Sequence, residues 1–329
     1  GTVQKESIMH LAGSRARRRG RDVVDRLEVA KVVHEWTQVP LERLADLDAD
    51  RFSHAEEVLS QSLVGHKSVI ESVTKALKRG FAGFSTHRPI GSFLFLGPTG
   101  VGKTELVKVL ADFLFGRKDA VIRLDMSEYT EKHSVARLVG AQPGYVGHDQ
   151  GGLLTEALRK RPFQIVLFDE IEKGHPDVLN ILLQVLDEGQ LTDSKGRSVS
   201  FSNAVVILTS NLGADALKAA AAPKIGFGAS NDDTFKTDAS IVLERAREQM
   251  LPELWGRLDE RQVFLPLSRN ELLQVTELQL QSMRRILYQE KQIEIRWSPD
   301  VASFVLDKAN PDEFGARGIR QTIQIGDQK

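Results

Sequence analysis

The chain has no cysteine. That absence excludes a disulfide framework, a thiolate zinc site and a cysteine nucleophile, and it fits a reducing compartment such as cytoplasm or an organelle stroma or matrix. Long hydrophobic runs are also missing. No stretch approaches the roughly 20 apolar residues that span a bilayer, so a membrane partner is not expected. Charge of one sign is not in excess either: 44 Lys and Arg stand against 45 Asp and Glu, a formal net charge of -1. That balance argues against a chain built to coat nucleic acid or an anionic membrane. What is present is ordinary for a soluble globular protein, with 41% hydrophobic and 27% charged residues. At 329 residues the length corresponds to about two domains.

The chain divides into four stretches. Residues 1–55 are polar and carry the basic cluster Arg15, Arg17, Arg18, Arg19 and Arg21, which reads as a solvated or disordered arm or, alternatively, as a surface for an acidic partner. Within them, residues 29–36 have the apolar spacing of a short helix that Pro40 terminates. Residues 56–266 alternate strand-like and helical segments. Apolar runs at 92–96, 121–125, 164–168 and 204–209 are candidate strands, with a weaker fifth at 263–265. Helical patterns fall between them, at 103–115 and 176–186 among others. Short buried strands alternating with helices predict an α/β fold, a parallel sheet sandwiched by helices. Residues 211–239 read as a loose insert. From 267 to 329 the pattern is mainly helical, with one possible strand at Ile293-Glu294-Ile295.

Chemistry enters at Gly97-Pro98-Thr99-Gly100-Val101-Gly102-Lys103-Thr104, which matches the phosphate-binding pattern G-x-x-x-x-G-K-[ST]. A strand-like run precedes it and a helical pattern follows, as the pattern requires. Its glycines let backbone N–H groups close around phosphate oxygens, and the next helix presents its positive end. Lys103 is expected on the outer phosphates of ATP and Thr104 on Mg²⁺. Asp169-Glu170 closes the third apolar run. Read alone, such a pair is equally a helix cap. On the edge where parallel strands end beside a phosphate loop, Asp169 is expected to orient Mg²⁺ and Glu170 to take a proton from the attacking water. Thr209-Ser210-Asn211 closes the fourth run and offers an amide to the same place.

The motifs as a series resemble the second ATPase module of the Clp unfoldases, within the AAA+ superfamily. The series runs Arg88-Pro-Ile-Gly-Ser-Phe-Leu-Phe-Leu-Gly-Pro-Thr-Gly-Val-Gly-Lys-Thr, Asp125-Met-Ser-Glu-Tyr, Glu131-Lys-His-Ser-Val, Gly144-Tyr-Val-Gly, Gly151-Gly-Leu-Leu-Thr-Glu, Asp169-Glu-Ile-Glu-Lys-Gly-His-Pro-Asp-Val, Asn180-Ile-Leu-Leu-Gln-Val-Leu-Asp and Thr209-Ser-Asn-Leu-Gly. The resemblance implies an AAA+ large domain at 56–266, a small helical domain at 267–329 carrying a second sensor, and an arm with an inter-module linker at 1–55.

It also implies roles for single residues. Leu63 and Val64 match the segment against adenine, and His66 replaces the family's usual glutamine. Asn211 matches the first nucleotide sensor and Arg317 the second, with Gly318 where the family often has proline. Arg257 matches the arginine finger, a role suited to a planar, permanently charged group, although Leu251, Leu254 and Gly256 depart from the family pattern around it. Tyr145 and Val146 match the loop that grips substrate in the ring pore, and 187–197 a second pore loop. Ile225-Gly226-Phe227 resembles the tripeptide by which ClpA-, ClpC- and ClpX-type unfoldases dock on a ClpP-type ring peptidase. The expectation is therefore a homo-hexameric ATP-driven unfoldase that threads unfolded or aggregated polypeptides, delivering them to a peptidase. The alternative is a ClpB-type disaggregase, which does not dock. The stretch Trp36–Pro40 resembles the linker that follows a first ATPase module, and the family's small domain usually extends further beyond Arg317.

Overall fold

The computed structural model describes residues 2–18, 20, 23–37, 52–82, 87–140, 151–215, 231–310 and 315–326. Its elements in chain order are α1 (Thr2–Arg18), α2 (Arg26–Thr37), α3 (Ala55–Ser62), α4 (Lys67–Phe81), β1 (Gly91–Leu96), α5 (Lys103–Phe115), β2 (Val121–Asp125), α6 (Lys132–Val139) and α7 (Leu153–Lys160). Then follow β3 (Ile165–Asp169), α8 (Pro176–Glu188), β4 (Gln190–Thr192), β5 (Ser198–Ser200), β6 (Val205–Ser210), α9 (Asn231–Gln249), α10 (Pro252–Arg257), β7 (Glu260–Val263), α11 (Arg269–Lys291), α12 (Asp300–Lys308) and α13 (Ala316–Gly326).

Five strands form one parallel sheet in the order β2-β3-β6-β1-β7. β1, β3 and β6 are buried along their whole length, because helices cover both faces. Successive side chains of a strand point to opposite faces, and the two cores follow that alternation. Leu94, Leu96, Val166, Phe168, Val206 and Leu208 pack with residues of α6 to α10. Phe93, Phe95, Ile165, Leu167, Val205 and Ile207 pack with residues of α3, α4 and α5. A third, smaller cluster of Leu272, Leu306, Ala309 and Ile319 holds α11, α12 and α13 together as a helical unit.

Local chemistry sets the element ends. α8 opens with Pro176 at its first position, and the His175 side chain accepts from the Asp177 N–H at 3.1 Å. It stops at Gly189, whose φ of 61° is a left-handed value that suits glycine. α11 opens with a capping box, in which the Ser268 hydroxyl accepts from the Glu271 N–H while the Glu271 carboxylate accepts from the Ser268 N–H.

Several expectations change here. Part of the basic stretch is helical: Arg15, Arg17 and Arg18 form the last turn of α1, and the Arg15 guanidinium donates to both carboxylate oxygens of Glu35 on α2, at 2.7 and 2.5 Å; Arg19 and Arg21 lie outside the described residues. A charge cluster looks solvated in sequence, whereas its pairing across a helix hairpin is a tertiary fact. The insert is shorter than expected, since α9 begins at Asn231; residues 216–230 lie outside the described residues. The fifth strand is Glu260–Val263, displaced towards the N-terminus, because Phe264 and Leu265 spend their apolar side chains in the cores beyond the ladder. Ile293-Glu294-Ile295 forms no strand. The backbone leaves α11 through Gln292 at φ 56°, and Ile293 is 47% exposed with no strand to pair among the described residues.

The left-handed turn at Gly189 makes a prediction. A Cβ there would overlap the His87 carbonyl, while one at Gly196, φ 73°, meets nothing within 4 Å. Gly196→Ala carries only the left-handed penalty, about 1–2 kcal/mol. Gly189→Ala adds steric overlap, for a total loss of at least ~3 kcal/mol. Denaturant midpoints of the two variants, measured side by side, check the ranking.

Candidate functional site: a phosphate loop at the carboxyl edge of the sheet

β1, β6 and β3 are consecutive in the sheet, so the segments that follow them meet on one edge. Gly97 to Gly102 follow β1. The loop turns sharply: Gly97, Gly100 and Gly102 have φ of 138°, 79° and 108°. At Gly97 any side chain would overlap the Phe264 carbonyl, which explains the glycine there. Lys103 opens α5 and is buried, with 9% of its surface exposed. Its ammonium donates to the carbonyl of Gly97, to that of Pro98 at 3.0 Å and to Asn211 Oδ1 at 2.9 Å.

Asn211 continues the chain of contacts. Its Nδ2 donates to Glu170 Oε1 at 3.3 Å. An ammonium only donates and a carboxylate only accepts, so this amide orientation is the one that satisfies both neighbours. The Asn211 backbone N–H donates to Glu172 Oε1 at 3.1 Å. Thr209, at the end of β6, ties both acids: its hydroxyl donates to Asp169 Oδ1 and accepts from the Glu170 N–H at 3.1 Å. Glu170 itself sits at φ 57°, ψ 54°, a left-handed value that costs about 1–3 kcal/mol in a residue with a side chain and is found where function demands it.

Two basic residues escaped the sequence reading. Arg123 on β2 donates to Asp169 Oδ2 from Nε at 3.0 Å and from Nη2 at 2.6 Å. Lys173 pairs with Glu170 Oε2 at 2.5 Å. A lone arginine in the apolar run of β2 was the available signal for the first. His66, which replaces the family's usual glutamine, does make a polar contact: its Nε2 lies 2.8 Å from the Val101 carbonyl of the phosphate loop, and its ring packs at a tilt against Phe264, with centroids 4.8 Å apart. A carbonyl only accepts, so Nε2 carries the proton. Burial pushes the His66 pKa down, against a smaller opposing effect of that hydrogen bond. Leu63 is buried and its Cδ1 lies 3.5 Å from where a Cβ on Gly102 would stand; Val64 is half-buried beside it.

Arg317 stands at the start of α13 with an exposed side chain, and the adjacent Ala316 N–H donates to the Gly100 carbonyl at 3.0 Å. The helical unit thus touches the phosphate loop directly. Arg257 is elsewhere. Its carbonyl and Ser92 at the start of β1 are neighbours, and Asp259, two residues on, bonds Ser92. β1 is six residues long, so Arg257 and the phosphate loop lie at opposite ends of a strand of roughly 20 Å. Tyr145, Val146, Ile225, Gly226 and Phe227 lie outside the described residues. The expected second pore loop is the end of α8 with the β4–β5 hairpin.

The donor set suits phosphate and a hard cation. Among the described residues the buried ammonium has carbonyls and an amide as partners and no direct anionic contact, and burial, the largest influence, lowers the Lys103 pKa to about 8 despite Glu172, Asp169 and Glu170 nearby. Arg317 adds to the lowering. Anionic phosphate oxygens would reverse the imbalance. Thr104 and Asp169 offer a hydroxyl and a carboxylate, oxygen ligands of the kind Mg²⁺ takes in ones and twos beside its waters. Among the described residues no group of three His, Asp or Glu could hold a metal ion unaided.

Fold and site together define a phosphate-loop ATPase core followed by a small helical domain. The family model of the AAA domain (Cdc48 subfamily) matches residues 88–261, and that of the C-terminal, D2-small domain of ClpB protein matches residues 267–325. The chain belongs to the Clp family of AAA+ ATPases and corresponds to its second module, of the ClpB type. It is 45% identical over 309 residues to the mitochondrial chaperone protein ClpB4 of Arabidopsis thaliana, an alignment covering 92% of this chain and 31% of that protein. It is 45% identical over 305 residues to the chaperone protein ClpB of Bacteroides thetaiotaomicron, covering 92% and 35%. A closed-state cryo-EM reconstruction of Hsp104 with ATPγS and FITC casein superposes with a TM-score of 0.80 at 33% identity, covering 97% of this chain and 54% of that one. The chain thus spans about a third of the ClpB relatives and about half of the Hsp104 chain. These relatives correct one expectation. They carry the ClpB and Hsp104 names, so delivery to a ring peptidase finds no support, and the disaggregase alternative fits better.

The buried lysine predicts a pH dependence. Its folded pKa of about 8 lies below the ordinary 10.5. Between those values the unfolded chain binds more protons, so stability rises with pH across that window. The gain is about 3 kcal/mol at 1.36 kcal/mol per pKa unit. Lys103→Met removes that rise. Denaturant midpoints of parent and variant from pH 7.5 to 10.5 should converge or cross accordingly; parallel curves would remove the assignment.

Proposed function

We propose that the chain hydrolyses ATP with Mg²⁺ and uses the cycle to remodel proteins as a peptidase-independent disaggregase. The observation that carries the reading is the hydrogen-bonded line Lys103–Asn211–Glu170 across three adjacent strands. Lys103 neutralises charge on the outer phosphates, and the loop N–H groups cradle them. Glu170 accepts the proton of the attacking water, and Asn211, already bonded to both groups, orients it. Thr104 and Asp169 would hold Mg²⁺, which neutralises phosphate charge when bound. Leu63 and Val64 bound the adenine side, and Arg317 brings the helical unit to the same nucleotide.

Arg257 sits at the far end of β1, too distant for its own phosphate loop. It supports a reading in which the guanidinium completes the site of a neighbouring copy, so that activity needs a closed homo-hexameric ring. Tyr145 and Val146 would grip an extended polypeptide in that ring; the Hsp104 relative was imaged with casein. Unfolded or aggregated polypeptides are the proposed substrates, in cytoplasm or an organelle matrix.

Glu170→Gln should bind ATP with parent affinity and hydrolyse it at least about 100-fold more slowly; unchanged turnover would remove Glu170 from the mechanism. Tyr145→Ala should keep ATP turnover within a factor of about two while reactivation of aggregated protein collapses. Recovery of an aggregated enzyme by the assembled protein, with no peptidase present, tests the chaperone reading itself.

A further inference from the structure

The segment Arg88-Pro89-Ile90-Gly91-Ser92 opens a motif whose second half binds phosphate, yet it lies at the opposite edge of the sheet. The nucleotide chemistry gives it no task. The side chains of Arg88 and Ser92 converge on the backbone carbonyl of Arg257. Arg88 Nε donates to the Leu186 carbonyl at 2.7 Å, and Arg88 Nη2 donates to the Arg257 carbonyl at 3.1 Å. Leu186 belongs to the last turn of α8, where carbonyls have no partner within the helix. One guanidinium therefore joins the end of α8 to the backbone of Arg257. Ser92 completes the seat by bonding Asp259 Oδ2 through its N–H at 2.8 Å and its hydroxyl at 2.7 Å.

The Arg257 side chain is held as well. Its Nε donates to Asp187 Oδ1 at 2.5 Å and its Nη1 to the Glu253 carbonyl at 2.9 Å. Among the described residues its Nη2 has no hydrogen-bond partner. Asp187 lies at the C-terminal end of α8, where the helix dipole disfavours a carboxylate; the guanidinium compensates. A carboxylate gripping both terminal amino groups would mask the charge. This one grips Nε alone and leaves an outer edge.

We infer that Arg88 and Asp187 are positioning residues for Arg257, mounting its guanidinium on the end of α8 so that the outer edge meets the phosphates of a neighbouring copy. The inference rests on the trans role of Arg257. A long side chain frozen before the encounter loses less conformational freedom on making its contact, and a displacement of about 1 Å in a catalytic group costs up to 100-fold in rate.

The test is ATP turnover by the assembled protein. Asp187→Ala and Arg88→Ala should each lower kcat about tenfold, with KM and nucleotide affinity within twofold. Asp187→Glu should recover part of the loss. Adding Asp187→Ala to Arg257→Ala should slow turnover no further. Mixed assemblies separate this inference from the reading beneath it. Lys103→Ala subunits have a disabled site but an intact mount, so they should restore turnover to Arg88→Ala, Asp187→Ala and Arg257→Ala subunits. Failure to rescue Arg257→Ala would overturn the trans role. Rescue of Arg257→Ala, with Asp187→Ala either at parent kcat or additive with Arg257→Ala, would overturn the mount alone. Melting temperatures distinguish Arg88→Ala variants that merely unfold, in which case the exposed Asp187 carries the decision.

Discussion

The rest of the structure depends on one buried positive charge. Lys103 is nearly inaccessible, and its ammonium is satisfied by two carbonyls of the loop that precedes it and by the amide of Asn211. Burying an ammonium without an anion is unfavourable, and its lowered pKa is the measure of that. The loop can hold the charge only because its glycines take left-handed or extreme φ values and because the β1 strand behind it is fully buried. The site is thus built around a buried positive charge whose surroundings suit an anionic group.

Strand order converts that charge into a site. β6 lies between β1 and β3, so the residue after β6 reaches both the lysine and the acid. Thr209 then fixes Asp169 and Glu170 relative to β6 through one hydroxyl. Each acid is also paired with a basic residue, Asp169 with Arg123 and Glu170 with Lys173. The acids are held in place by charge as well as by backbone.

Polar contacts gather at both ends of the strands. The carboxyl edge holds the phosphate loop and acids; the opposite edge holds Arg257, Arg88 and Asp187. α8 links them, since it begins shortly after Glu170 and carries Asp187 in its last turn. With 13 residues it spans roughly 20 Å, matching β1. The helical unit of α11 to α13 closes over the carboxyl edge through Ala316 and Gly100.

The amino-acid sequence by itself determined the local chemistry. The phosphate loop, the acids after an apolar run and the boundaries of α5 and β2 were legible, because each depends on neighbours along the chain: glycine φ values, apolar periodicity and caps. The residues offered the Asn211 amide to the same edge, and the resemblance to Clp proteins added its sensor role and the two arginines. Tertiary structure decided what joins across the chain. Asn211 meets Lys103 from 108 positions away and Glu170 from 41, and neither spacing announces a contact. Arg15 with Glu35, Arg123 with Asp169 and Arg88 with Arg257 were equally hidden, since a charged residue in sequence shows its sign but not its partner. The choice of partner follows from strand order and helix packing, which the whole core sets at once.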